Sequence, residues 1–169
     1  MGPSSEKVKD PVCHMWVAPE QFAISYQGMD FAFCSQQCKD RFLANPHLYI
    51  GVPGAPAPKQ EGQEVFKRRR LRLETPLSDV HAQQVTEQLL AMMGVYSVDI
   101  DAGELTITYD LLQATAEQIE ATLQQAGACL GEGWSERLRR AFVHYLEENE
   151  VANREVQPGP HGHGGHHRD

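Results

Sequence analysis

No stretch of this 169-residue chain approaches the ~18 consecutive apolar residues that a membrane-spanning helix needs. Residues 1–9 are polar and lack the apolar centre of a signal peptide. Gly2 follows Met1, but Glu6 stands where a myristoylation motif needs Ser or Thr. The expectation is a protein not embedded in a membrane, in the cytoplasm, where thiols stay reduced. Excess positive charge is missing too. The formal net charge is −8, which argues against nucleic-acid binding. The one basic run is Lys67-Arg68-Arg69-Arg70 with Arg72, alternating into Leu71 and Leu73. It reads as the solvated side of a strand, with a docking patch for an acidic partner as the alternative. There is no Ser/His/Asp order, no phosphate loop, no suggestive carboxylate pair and no helix-turn-helix signal. The chain is expected not to be an enzyme.

Cysteine is scarce, and its placement is the most telling feature. Of four cysteines, Cys13, Cys34 and Cys38 fall in the first forty residues. Four thiols at uneven spacing in a reducing compartment read better as metal ligands than as disulfides. Cys34 and Cys38, four apart at a helix start, share one face. Cys13, from a preceding loop, would complete a trigonal thiolate cluster. Soft thiolates select Cu(I), Zn and related metals over Mg or Ca. A closed structural zinc site wants four ligands. The fourth would have to be His14, Met15, His47 or a group from another chain. Cu(I) accepts three thiolates alone and is the preferred cofactor, with Zn(II) the alternative. Three buried apolar thiols, or a redox pair at Cys34 and Cys38, are the competing readings. Cys129 is expected to be a buried structural thiol.

Residues 51–64 hold three prolines and three glycines without apolar periodicity and read as a linker. Before it, residues 9–50 give a loop cysteine and then the alternating run Phe22 to Tyr26. A turn at Gln27-Gly28-Met29-Asp30 leads into Phe31-Ala32-Phe33. A helix capped by Ser35 carries Cys38, Phe42 and Leu43, and Asn45-Pro46 starts another. The layout is treble-clef-like. After the linker, residues 65–131 read strand, helix, strand, strand, helix, strand. A helix over 79–93 carries Val85, Leu89 and Met92 or Met93. Thr115-Ala116-Glu117-Gln118 is a capping box, and Ala128-Cys129-Leu130 is a short last strand. The fold class is α+β, a small module beside a ferredoxin-like βαββαβ module. Residues 132–155 form a further helix whose stripe is Trp134, Leu138, Ala141, Phe142, Tyr145 and Leu146. That stripe is expected to pack inward or, alternatively, to pair with a partner, a homodimer included. Residues 156–169 are expected to be disordered, with His161, His163, His166 and His167 as a weak metal site.

Several of these residues carry a family resemblance. Asp10-Pro11-Val12-Cys13, Met15, Tyr26-Gln27-Gly28, Phe33-Cys34-Ser35, Cys38, Phe42, Asn45-Pro46 and Tyr49 make the first module resemble the YHS domain. That family is associated with heavy-metal binding and often sits beside copper-transporting P-type ATPases. The resemblance implies Cys13, Cys34 and Cys38 as ligands. His14 departs from it, standing where the family usually has glycine. About Phe66 to Leu130 resembles a heavy-metal-associated domain. The quoted stretches are Leu77-Ser78-Asp79, Gly94-Val95-Tyr96-Ser97-Val98-Asp99-Ile100 and Leu105-Thr106-Ile107-Thr108-Tyr109-Asp110. That family binds metal through two cysteines three apart, and here the aligned positions are Asp79 and Ala82, so the module reads as degenerate. Asp79 with His81 is a weaker candidate for a harder ion, against a capping role for Asp79. The expected role is soft-metal buffering, sensing or delivery in copper homeostasis. A copper-transporting P-type ATPase or another metal-handling protein is the expected partner. A structural zinc adaptor and a metal-responsive regulator are the alternatives.

Overall fold

A computed structural model of the chain describes residues 6–155, apart from the side chains of Trp134, Ser135 and Leu138. The fold is α+β. Strands β1 (Val8–Lys9) and β2 (Trp16–Val17) pair antiparallel across the loop that carries Cys13. Strands β3 (Ile24–Tyr26) and β4 (Met29–Phe31) form a hairpin with Tyr26 opposite Met29. Its two-residue turn is Gln27-Gly28, with φ of 49° and 76°. Two positive φ angles match the right-handed strand twist, which is why the turn ends in glycine. The second strand therefore begins two residues earlier than the Phe31 start expected from alternation. Helix α1 (Gln36–Ala44) follows, with Ser35 as N-cap, and a 3-10 turn spans Pro46–Leu48. Phe42 of α1 is the hub of this half. The rings of Phe31, Phe33, Tyr26 and Tyr49 surround it at 4.9–6.1 Å.

The second half holds β5 (Phe66–Arg72), α2 (Asp79–Leu90), β6 (Val95–Asp101), β7 (Glu104–Asp110) and α3 (Ala116–Gln125). The sheet order is β5-β7-β6, all antiparallel. Leu73 bridges to Leu130 on the far side of β5. The expected last strand is thus only a bridge, but it lies where the fourth strand of a ferredoxin-like βαββαβ unit belongs. Leu71, Leu105, Ile107 and Tyr109 share the buried face with Val85, Leu89, Ile119 and Leu123 from the helices. The Thr115–Gln118 capping box is formed as its spacing requires. Helix α2 stops at Leu90, because the chain turns at Gly94 (φ 83°), and Met92 and Met93 pack from that turn. Cys129 is exposed rather than buried: Ala128 and Leu130 point inward, and alternation sends Cys129 out.

Helix α4 (Trp134–Arg154) packs with the face opposite to the one expected. Ala141, Phe142, Tyr145 and Leu146 are exposed, while Glu147 and Val151 are buried. The reason is a polar demand beneath the helix. The Glu147 carboxylate accepts from the Tyr109 hydroxyl and, at 2.7 Å, from the Ala116 N–H at the start of α3. Lys67 Nζ lies 2.5 Å from Glu150, and the His144 ring meets Glu120. Burying these groups unpaired costs more than exposing a few apolar side chains.

Residues 51–64, expected as a linker, are built into the body. Val52 and Ala55 bridge each other, and Ala57 and Lys59 are buried. Lys59 Nζ sits 3.7 Å from the buried Asp110, whose Oδ1 accepts from the N–H of Val65 and of Leu112. The two halves are also pinned directly. The Gln37 side-chain amide donates to the carbonyls of Met93 (2.8 Å) and Gln113 (3.0 Å), and its oxygen accepts from Met93 N–H. The Tyr49 hydroxyl donates to Leu112 O. Truncation in Gln37→Ala leaves three backbone groups unpaired and should cost ~2–3 kcal/mol. Urea denaturation should show that loss within a single transition for the whole chain; two separated transitions would show the halves to be independent.

Candidate metal centre

Asp10 starts the site. An Asp-Pro step favours a turn in which the carboxylate bonds the backbone just ahead. Here Oδ1 accepts from Val12 N–H at 2.7 Å and Cys13 N–H at 3.3 Å. Oδ2 accepts from Cys34 N–H at 2.8 Å. The His14 N–H donates to Asp10 O, and the Asp10 N–H to Met15 O. One fully buried carboxylate therefore closes the Cys13 loop and fastens it to the end of the hairpin. Gln21 holds the same joint from outside, its amide donating to Cys34 O.

Helix α1 supplies the rest. The Ser35 hydroxyl accepts from Cys38 N–H, so Cys34 lies just before the cap and Cys38 in the first turn. The Cys34 sulfur stands 3.4 Å from that of Cys13 and 3.4 Å from that of Cys38. With the Asp10 carboxylate, the three sulfurs form a group whose ligand atoms all lie within 4.8 Å of one another. All three thiols are free; Cys38 is buried, and Cys13 and Cys34 are partly open to solvent. A zinc–sulfur bond is about 2.3 Å, so a tetrahedral ion spaces its sulfurs about 3.8 Å apart. Small outward movements of three side chains accommodate such an ion.

The electrostatics of the cluster oppose ionisation of all three thiols at once. The Cys13 thiol is held below its ordinary range, chiefly because the Cys38 thiol bonds to it, with help from the Met15 backbone N–H. Burial pushes Cys34 up to about 12. Cys38 is pushed up as well, first by its bond to Cys13, then by burial and the Asp10 charge. A helix N-terminus favours thiolates, but crowding and desolvation win here. A bound cation would reverse that balance, since thiolate ligands must shed their protons.

The other candidate ligands lie elsewhere. His47 bonds Ile50 O through Nδ1 and faces the Tyr26 hydroxyl through Nε2. Met15 is half exposed and serves the loop through its carbonyl. His14 is outside the group of close ligand atoms and lines a cavity of about 320 Å3 with Lys9, Pro11, Tyr49 and Gln60. Burial and the neighbouring Lys9 and Lys59 lower its pKa, so its imidazole is neutral at pH 7. His81 Nε2 meets Ala126 O at 2.8 Å, which ties α2 to α3. Asp79 opens α2 directly after its Ser78 cap. Neither belongs to a cluster of ligand groups among the described residues. His161, His163, His166 and His167 lie outside the described residues. Sequence reasoning missed Asp10 as part of the site, although the Asp-Pro step two residues before Cys13 was its signal.

The conformation of His14 explains why a glycine suits its position. Its φ is 66°, in the left-handed region that a Cβ disfavours. His14→Gly should stabilise the protein by ~1 kcal/mol in chemical denaturation and leave the metal stoichiometry unchanged. Loss of a bound equivalent in that variant would make His14 a ligand after all.

Solved structures resemble parts of the chain. The putative copper-ion-binding protein from Bacillus anthracis str. Ames is 17% identical over 41% of this chain and 100% of that one, with a TM-score of 0.39. The CopZ metallochaperone is 19% identical over 38% of this chain and 100% of that one, at 0.37. Oxidized MerP from Ralstonia metallidurans CH34 is 14% identical over 40% of this chain and 96% of that one, also at 0.37. No curated protein matches the chain. Residues 8–52, which contain all three clustered cysteines, match the model of the YHS domain family.

Proposed function

We propose that the chain binds a soft transition metal at Cys13, Cys34 and Cys38, with Cu(I) as the ion and metal homeostasis as the role. The observation that carries this reading is the convergence of three free sulfurs, 3.4 Å from Cys34 to each neighbour, at a partly open position. Soft thiolates suit Cu(I). Three of them suffice for it, and both Asp10 oxygens are already engaged by backbone N–H groups. A three-sulfur site with two ligands partly exposed lets an incoming thiolate join before a resident one leaves. That suits buffering or delivery more than permanent storage. The protein is on this reading a binder rather than an enzyme, working where thiols stay reduced, and a copper-transporting P-type ATPase is a fitting recipient. The second module, with no cysteine between Cys38 and Cys129, serves assembly rather than metal capture.

The second reading is a zinc site closed by Asp10, and it rests on the Asp10 carboxylate lying among the sulfurs. The two differ in the metal recovered. Protein purified under reducing conditions, with the four tail histidines replaced by alanine, should hold one Cu(I), and a Cys34→Ser/Cys38→Ser variant none. A variant that retains a full equivalent refutes the site; one tightly held zinc in the parent favours the Asp10-closed reading.

Protons give an independent check. Cys34 and Cys38 are raised above the ordinary thiol range, so both are protonated at neutral pH and must deprotonate to bind. Each displaced proton makes apparent affinity rise about tenfold per pH unit. Competition titrations between pH 6 and 8 should therefore give a slope of at least about two in log affinity. A flat profile would mean that the ion is held without these two sulfurs.

A further inference from the structure

The outer edge of β5 at Arg68 and Arg70 has no backbone partner among the described residues, and we propose that it receives an extended acidic segment of another protein as an added strand. The hydrogen-bond parity of the sheet shows which groups are free. Leu73 N–H donates to Gly103 O, and Leu111 N–H to Val65 O, so odd-numbered residues of β5 face β7. Even-numbered residues face the other way: Arg72 O accepts from Gly131 N–H, and Glu74 N–H donates to Cys129 O. The pairing stops there, because the fourth strand is only the Leu73–Leu130 bridge. The N–H and C=O groups of Arg68 and Arg70 thus point outward with no backbone partner among the described residues. Such an edge is a template for strand addition.

Charge selects the occupant. Arg68, Arg70 and Arg72 share the outer face, and all three are exposed. Among the described residues, Arg70 alone of the three makes an ion pair there, with Glu104 at 3.9 Å, the residue that stands opposite Arg72. On the helical side, a cavity of about 160 Å3 between β5 and α4 is lined by Lys67, Arg69, Val143 and Leu146 among others. An added strand presenting acids on the outer face and an apolar side chain inward matches both sides. A second copy does not fit, because two β5 edges would bring two Lys67–Arg70 runs together. Residues 156–169 do not fit either, being rich in glycine, proline and histidine with a single acid, Asp169. A polyanionic nucleic acid would meet Asp99, Asp101 and Glu104 on the neighbouring strands of the same face.

The test uses the full-length protein, isotope-labelled, and the acetylated, amidated peptide Glu-Val-Glu-Leu-Glu-Val-Glu. Without peptide, the amides of Arg68 and Arg70 should exchange with solvent at least tenfold faster than those of Lys67, Arg69 and Leu71. Peptide should slow Arg68 and Arg70 at least tenfold. Arg68→Glu/Arg70→Glu should weaken binding at least tenfold in titration calorimetry, and so should N-methylation of alternate peptide bonds. An N-methylated peptide that binds as well as the parent would reduce the surface to a charge patch and overturn the proposal. So would absence of binding, tighter binding of oligo(dT) than of the peptide, or protection of Arg68 and Arg70 before any peptide is added.

Discussion

The thiol site depends on one buried carboxylate. Asp10 gathers three backbone N–H groups from two segments that are distant in sequence, and the sulfurs of Cys13 and Cys34 meet because of it. Without it, the Cys13 loop would be fixed by a two-residue strand pair, local turns and the burial of Val12. Burying the charge is offset by those bonds, since a carboxylate that accepts several N–H donors is well satisfied. Its position has a second effect. A fixed negative charge beside three thiols discourages their simultaneous ionisation and favours a cation that restores neutrality.

The same device recurs in the second half. Asp110 is equally buried, holds Val65 and Leu112 N–H, and adds Lys59 from the proline-rich segment. Glu147 does the corresponding work for α4, binding the start of α3 and the Tyr109 hydroxyl. Burial and the Glu147 charge hold that phenol well above its usual range, so it stays a donor. Three acidic side chains on three segments thus decide where loops and helices lie. The apolar core supplies the bulk of the cohesion, while these groups fix the register of the pieces.

Local patterns were legible in the sequence because local physics makes them. Ser35 and Thr115 cap helices as their spacing demands, a hairpin forms at Gln27-Gly28 although its turn is two residues shorter than expected, and the strand–helix order from β5 to α3 follows from periodicity. The convergence of Cys13, Cys34 and Cys38 could be read from their spacing together with the residues around them. What escaped was long-range and polar. The inward face of α4 is chosen by Tyr109, Ala116, Lys67 and Glu120, none of which is near it in sequence. An apolar stripe of Ala141, Phe142, Tyr145 and Leu146 therefore pointed the wrong way. The composition of residues 51–64 suggested a spacer because nothing in that stretch reveals Asp110, the charge that draws Lys59 inward. Cys129 is exposed because its neighbours Ala128 and Leu130 take the inward positions of the alternation.

Gln37 stands one residue before Cys38, and its amide is locked to Met93 and Gln113 while its carbonyl accepts from the Gln118 side chain. The helix that carries a cluster sulfur is thus the helix that fastens the two halves. A thiol cluster on a tether could swing across a gap; this one is held in a fixed place. On the proposed reading, a protein that exchanges metal with it must dock, and must match the contours of both halves at once. Selectivity for a partner then comes from the shape of the whole body, and an isolated fragment carrying the three cysteines would give up that selectivity while keeping its thiols.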